Sequence, residues 1–181
     1  KANVASQRIA VAPALGQNTH MAIAKPLKVA GVAIGQLTIA PFRSSGESVN
    51  ALLGGHVDVV SATAPTLVPH VLAGKIRILA SAAPERGTGP LADVKTWREQ
   101  GVAADYVSYN GVMLAPKATP EQQKFWEAAL KRVAASPEWT ALVEKSGNKA
   151  IFRGTEASQR YLEAEWKATT DLATELGLVA K

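Results

Sequence analysis

The sequence predicts an α/β fold, a mostly parallel sheet flanked by helices with further helices appended after it. Three observations carry this. Short β-branched runs alternate with helix-like segments through residues 8–81, at the spacing of βαβ units. After Pro116 the alternation stops and three amphipathic segments with well-formed caps follow. The 181 residues are 47% hydrophobic and 19% charged, which supplies a core for one domain, or one domain with an appendage.

Residues 8–12 read as the first strand and 13–16 as a turn. A helix opens near Asn18 or Thr19 and carries Met21, Ile23 and Leu27 on one face. Pro26 falls inside that helix and predicts a kink or an early stop, and Gly31 closes the segment. Residues 36–40 read as a second strand, and 47–53 as a helix ended by Gly54 and Gly55. Residues 57–61 are a third strand, 65–73 a short helix ended by Gly74, and 76–81 a fourth strand. Residues 84–105 are rich in Gly, Pro and charge and read as loop, and 106–115 as a strand containing Gly111.

Thr119, Pro120 and Gln122 form a capping box with proline at the first helical position. The helix they open carries Phe125, Ala129, Leu130 and Val133 on one face. Ser136 and Pro137 open another, ending before Gly147. Thr155 opens a long third one, with Leu162, Trp166, Thr169, Leu172 and Leu176 in a stripe and Gly177 as its cap. These helices need an apolar surface to cover. Either they pack on the sheet of the first half, or they cover something outside this chain.

Composition removes several classes of function. With no cysteine there is no disulfide framework, thiol nucleophile, iron–sulfur cluster or zinc finger. The net charge of +5 comes from basic residues scattered among acids, without the basic run and interleaved aromatics of a nucleic-acid binder. No stretch of the length and apolarity of a membrane-spanning helix occurs. Residues 1–12 lack a long apolar segment and read as structure, not as a signal peptide.

Catalytic signatures are missing too. There is no nucleophile elbow, Walker loop or dinucleotide fingerprint. His20, His56 and His70 stand too far apart in sequence to form a paired-histidine metal motif, so no metal and no cofactor is expected. Asp58 lies inside an apolar strand. It is either a functional acid or, more commonly, a strand-end residue that satisfies nearby backbone donors.

The segment with chemistry is 12–20. A strand runs into a turn of small residues, and the turn into a helix N-terminus, which offers free N–H groups and the positive end of the helix dipole. That combination suits a carboxylate or a phosphate. Ala14, Gly16 and Gln17 place backbone next to a ligand, and Asn18 and Thr19 can add side-chain donors. Most such turns are simple N-caps, so the segment alone does not establish a site.

A series of motifs along the chain resembles the substrate-binding receptors of tripartite tricarboxylate transporters, the Bug family. Gly16 to His20 stands where that family has a G-S-x-x-H-like turn, and residues 40–44 where it has V-P-Y-K-G. Residues 52–58 match its L-x-G-G-x-V-D pattern closely, and 73–80 its A-G-K-x-R-x-L-A pattern. Arg86, the 93–101 segment, the Tyr109 to Pro116 segment, Thr119 with Pro120, and Thr155 with Glu165 follow in order. Gln17, Ala14 and Lys95 depart from the usual Ser, Gly and Pro. The resemblance spans nearly the whole chain, but only the second lobe and the C-terminal part of a family member.

The resemblance implies a type II periplasmic-binding-protein-like lobe. Residues 1–110 would be the α/β ligand-binding lobe, and 111–181 a crossover strand and C-terminal helices that pack on a first lobe missing from this chain. It implies a periplasmic location, with the signal peptide not present in this chain. The expected partners are a small organic carboxylate and the transporter's membrane subunits. The expected contacts are the turn at 14–19, the segment led by Phe42 and Ser44, and the segment holding Ser61 and Thr63, each following a strand. Two alternatives from other classes stand beside this reading. One is an interaction or sensory domain that homodimerises through the faces left by the missing lobe. The other is an enzyme of small carboxylates, for which no nucleophile–base pair can be assembled.

Overall fold

A computed structural model describes residues 6–175 and 177–178. Its sheet has three parallel strands, β1 (Arg8–Val11), β2 (Thr38–Pro41) and β3 (Val59–Val60), in the order β2-β1-β3. Arg8 pairs with Thr38 and Val11 with Pro41, while Ile9 pairs with Val59 on the other side. Pairing reaches past the short β3, because Asp58 N–H donates to the Arg8 carbonyl and Ser61 N–H to the Ala10 carbonyl, both at 2.9 Å.

The central strand alternates between two cores, as the period of a β-strand requires. Ile9 and Val11 pack with Leu27 on one face, joined by Ile23, Val32, Ile34, Leu37, Ile39 and Trp97. Ala10 packs with Ala51 and Val57 on the other, joined by Phe42, Leu52 and Val60. Burial on both faces is what a parallel sheet demands, and it explains why β1 has no polar side chain after Arg8.

Each strand feeds a helix: α1 (Asn18–Val29), α2 (Ser45–Leu53) and α3 (Ala64–Leu72). The helix α1 runs through Pro26 without the early stop predicted for it, and Pro26 is fully buried. Its closing turn is built on Gly31 at φ 78°, where Gly31 N–H meets the Lys28 carbonyl and Val32 N–H the Leu27 carbonyl. That pattern needs a left-handed residue, so glycine stands there.

Two predicted strands are not strands. Residues 76–80 take no regular secondary structure, and only Ser81 finds a ladder partner, bridging to Thr96. Residues 106–115 form no strand either. Both segments have suitable side chains, yet a strand exists only where a neighbouring edge accepts its hydrogen bonds. The Tyr106 amide instead donates to the Ala82 carbonyl at 2.7 Å, which fixes the start of the crossover segment beside the Ser81 bridge.

The remaining helices are α4 (Pro120–Ala134), α5 (Pro137–Lys145) and α6 (Thr155–Glu175). The capping box of α4 forms as the sequence predicts: Gln122 N–H donates to the Thr119 hydroxyl, and Thr119 N–H to the Gln122 side chain. Glu127 of α4 accepts from the backbone and hydroxyl of Thr155, tying α4 to the start of α6. Of the α6 stripe, Leu172 is buried, while Trp166 is 77% exposed, and Leu176 lies outside the described residues. Phe125, Trp126, Trp139 and Leu142 are exposed as well. Beyond Ala104, Leu172 is the one buried residue among those described.

Candidate functional site

Because the strands are parallel, the loops after β1, β2 and β3 and the N-termini of α1, α2 and α3 lie at one edge of the sheet. The chain leaves β1 toward β2 on one side and returns to β3 on the other. The carboxyl ends of β1 and β3 therefore flank the point where the topology reverses, which is where open α/β sheets hold their ligands. Six of the nine residues predicted to contact a ligand belong to the two segments at this point: Ala14, Gly16, Gln17, Asn18 and Thr19 after β1, and Ser61 after β3. Thr63 follows Ser61 and caps α3, while Phe42 and Ser44 follow β2 on the far side of β1.

The two segments are joined directly. The Ser61 hydroxyl donates to the Thr19 carbonyl at 2.6 Å. Thr19 is 5% exposed, and its hydroxyl donates to the Ala12 carbonyl at 2.7 Å and accepts the Ala12 N–H at 2.9 Å. This corrects the expectation that the Thr19 hydroxyl faces a ligand: it closes the loop from within. The side chain of Asn18 is committed as well. Its Nδ2 donates to the Ser108 hydroxyl at 3.0 Å, and its Oδ1 accepts the Tyr106 hydroxyl at 3.2 Å. Burial, with Glu165 nearby, pushes the Tyr106 hydroxyl above its ordinary pKa and keeps it a donor.

The backbone is different. The cap residue Gln17 places no side chain on the first turn of α1. The amides of Asn18, Thr19 and His20 find no acceptor among the described residues. Gly16 takes φ 79°, a left-handed turn, but its N–H is not free, since it donates to Nδ1 of His20 at 2.9 Å. The loop 12–17 and the segment 61–64 contain no acidic or basic side chain. What they present is a field of oriented N–H dipoles, suited to an anion that accepts several bonds at once.

The other predicted residues have structural partners. Phe42 N–H donates to the Val11 carbonyl at 2.8 Å, and its ring packs on the Ala10 core. The Ser44 hydroxyl caps α2 by accepting Glu47 N–H at 3.2 Å. The Thr63 hydroxyl lies 3.3 Å from that of Thr66. Beside them is Arg43, exposed, its guanidinium in no hydrogen bond or ion pair among the described residues. The position of Arg43 directly after a strand was the available signal for it. Ser108 and Tyr106 had no such signal, because their role exists only through contact with a residue about ninety positions away.

Asp58 is at the opposite edge of the sheet, where its carboxylate accepts the backbone N–H and guanidinium of Arg8 at 2.8–3.1 Å. Those bonds hold its pKa below the ordinary value of 3.8. It is the strand-end residue of the two readings offered by the sequence.

The fold defines an α/β lobe with a small parallel sheet flanked by helices. Residues 12–178 match the tripartite tricarboxylate transporter family receptor, and the chain belongs to that family. The family is one of substrate-binding receptors, not enzymes. A UPF0065 protein in the gbd 5′ region of Cupriavidus necator is 28% identical over 144 residues, 79% of this chain and 43% of the relative. Among solved structures, R. palustris Rpa4515 with adipate superposes with a TM-score of 0.81 at 23% identity, over 94% of this chain and 56% of that one. A ligand-free TctC solute-binding protein from Polaromonas gives 0.74 at 18% identity, over 96% and 59%. These likenesses show the fold. The chain spans between about two-fifths and three-fifths of the relatives it matches.

Proposed function

We propose that this chain is the ligand-binding lobe of an extracytoplasmic solute receptor. It takes a small organic carboxylate at the carboxyl edge of its sheet, for delivery to the membrane subunits of a tripartite tricarboxylate transporter. The observation that carries this is the set of first-turn amides of Asn18, Thr19 and His20, at the β1/β3 reversal, that find no acceptor among the described residues. A carboxylate oxygen accepts from several such donors, and the dipole of α1 favours its charge. Gln17 and Gly16 shape the approach, Ser61 and Thr63 flank it, and Arg43 offers a cation. Family membership and the adipate-bound neighbour point to the same ligand class. Among the described residues no helix is long and apolar enough to cross a membrane.

The lobe division is part of this proposal. Residues 1–110 hold the site, and the helices of 111–181 present their apolar side to structure other than this sheet, since Phe125, Trp126, Trp139 and Leu142 find no cover on it. The same exposure favours a second reading, in which two copies associate through these faces.

The test is a titration of the ¹⁵N-labelled chain with adipate and a panel of mono-, di- and tricarboxylates. Binding should move the amide signals of 18–20 and of 61–63 first. A response confined to α4 to α6, or none from any carboxylate, overturns the reading. Mass measured against concentration decides the second reading: a constant monomer mass removes it.

A further inference from the structure

We propose that His20 is the positioning residue of the ligand loop: its uncharged imidazole holds the Gly16 amide, and the loop 13–17 keeps its binding turn only while that bond stands. The inference rests on the reading of the α1 N-terminus as the anion site. A backbone N–H can only donate, so the Nδ1 that receives Gly16 N–H at 2.9 Å carries no proton. His20 is thereby fixed as the Nε2-protonated tautomer. The imidazole is 4% exposed, and the residue it grips is the left-handed Gly16, the pivot of the turn between β1 and α1. Because His20 stands four residues after Gly16, the first turn of α1 itself carries the latch.

A proton on Nδ1 would set N–H against N–H. The bond would be lost, and a buried charge would sit at the positive end of α1. The groups around it do little to offset this. The loop 12–17, the end of β1 and the segment 61–64 have no titratable side chain. Lys25 and Lys28 stand further along α1, and Asp105, Tyr106 and Tyr109 are on the crossover segment. Glu163 and Glu165 of α6 line the groove beside Asn18. Burial holds the His20 pKa below its ordinary 6.5, so the latch is closed near neutrality and opens on acidification.

The experiment follows the Gly16 amide and the His20 ring nitrogens by NMR against pH, together with adipate affinity, in the parent chain and in His20→Asn and His20→Leu. Asparagine offers a carbonyl oxygen near the place of Nδ1 and cannot titrate. The parent should show the Nε2-protonated tautomer, with the Gly16 signal shifting at the His20 midpoint. Its affinity should fall about tenfold per pH unit below that midpoint, relative to His20→Asn at the same pH. His20→Asn should keep the neutral-pH affinity, and His20→Leu should lose it while the β1–β3 amides stay protected. An Nδ1-protonated ring, a Gly16 signal indifferent to His20, or affinity that rises on acidification overturns the proposal. If adipate binds none of the chains, the anion reading of the site fails, and the Gly16 titration still decides the latch.

Discussion

Asn18 donates its side-chain amide to the Ser108 hydroxyl at 3.0 Å and accepts the Tyr106 hydroxyl on its other end. One side chain thus joins the N-terminus of α1 to the segment that leads into the C-terminal helices. Asn18→Asp separates structure from binding. Both hydroxyls can donate to a carboxylate, and a negative charge suits a helix N-terminus, so the melting temperature should hold or rise. The same charge repels an anionic ligand, and calorimetry should show carboxylate affinity reduced about tenfold or more. Unchanged affinity would move the ligand away from α1.

Thr19 uses one hydroxyl to satisfy both the N–H and the C=O of Ala12. Thr19→Val keeps the shape and leaves two buried backbone groups without partners. Urea denaturation should show a loss of about 2–4 kcal/mol, while Thr19→Ser should stay within about 1 kcal/mol of the parent.

Among the described residues Gly16 has room for a methyl group, since an added Cβ would meet only Leu178 Cδ1, at 3.7 Å. Its backbone angle is the obstacle. Gly16→Ala should cost about 1–2 kcal/mol from φ alone and weaken carboxylate binding, and a bulky β-branched residue should abolish binding before it unfolds the sheet. Full affinity in Gly16→Val would remove this turn from the site.

Asp58 titrates below 3.8 in the folded chain because Arg8 donates to it from both side chain and backbone. The unfolded chain then binds the proton more readily than the folded one as pH drops below the ordinary carboxylate range. Stability from this pair is present above pH 3.8 and is lost as pH falls through the lowered value. Asp58→Asn should therefore be less stable than the parent above the ordinary carboxylate range and converge with it as pH falls through the lowered Asp58 pKa. Denaturant midpoints across that range measure it, and a gap that stays constant would deny the titration.

His56 and His70 contrast with His20. Among the three histidines, His20 alone combines near-complete burial with an acceptor role toward the ligand loop. A rise in stability with pH through the region below 6.5 should therefore disappear in His20→Asn, as denaturant midpoints against pH would show.

What the residues alone determined was local. The β-branched run of β1, the small-residue turn, the caps at Thr119 and Ser136 and the glycines closing the helices are encoded within a few positions of where they act, and they form as expected. The location of the candidate site was legible for the same reason, because a strand, a turn and a helix start are local features. Tertiary structure decided the rest. Residues 76–81 and 106–115 have strand-like composition but, apart from the Ser81 bridge, no edge to pair with, and a lone strand cannot satisfy its own backbone. Asn18 and Thr19 were legible as donors, but whether their side chains face a ligand depends on Ser108, Tyr106 and Ala12. A hydrogen-bonding group spends its capacity on whichever partner the fold brings within 3 Å or so, and for Asn18 that partner is set by packing, not by its neighbours in the chain.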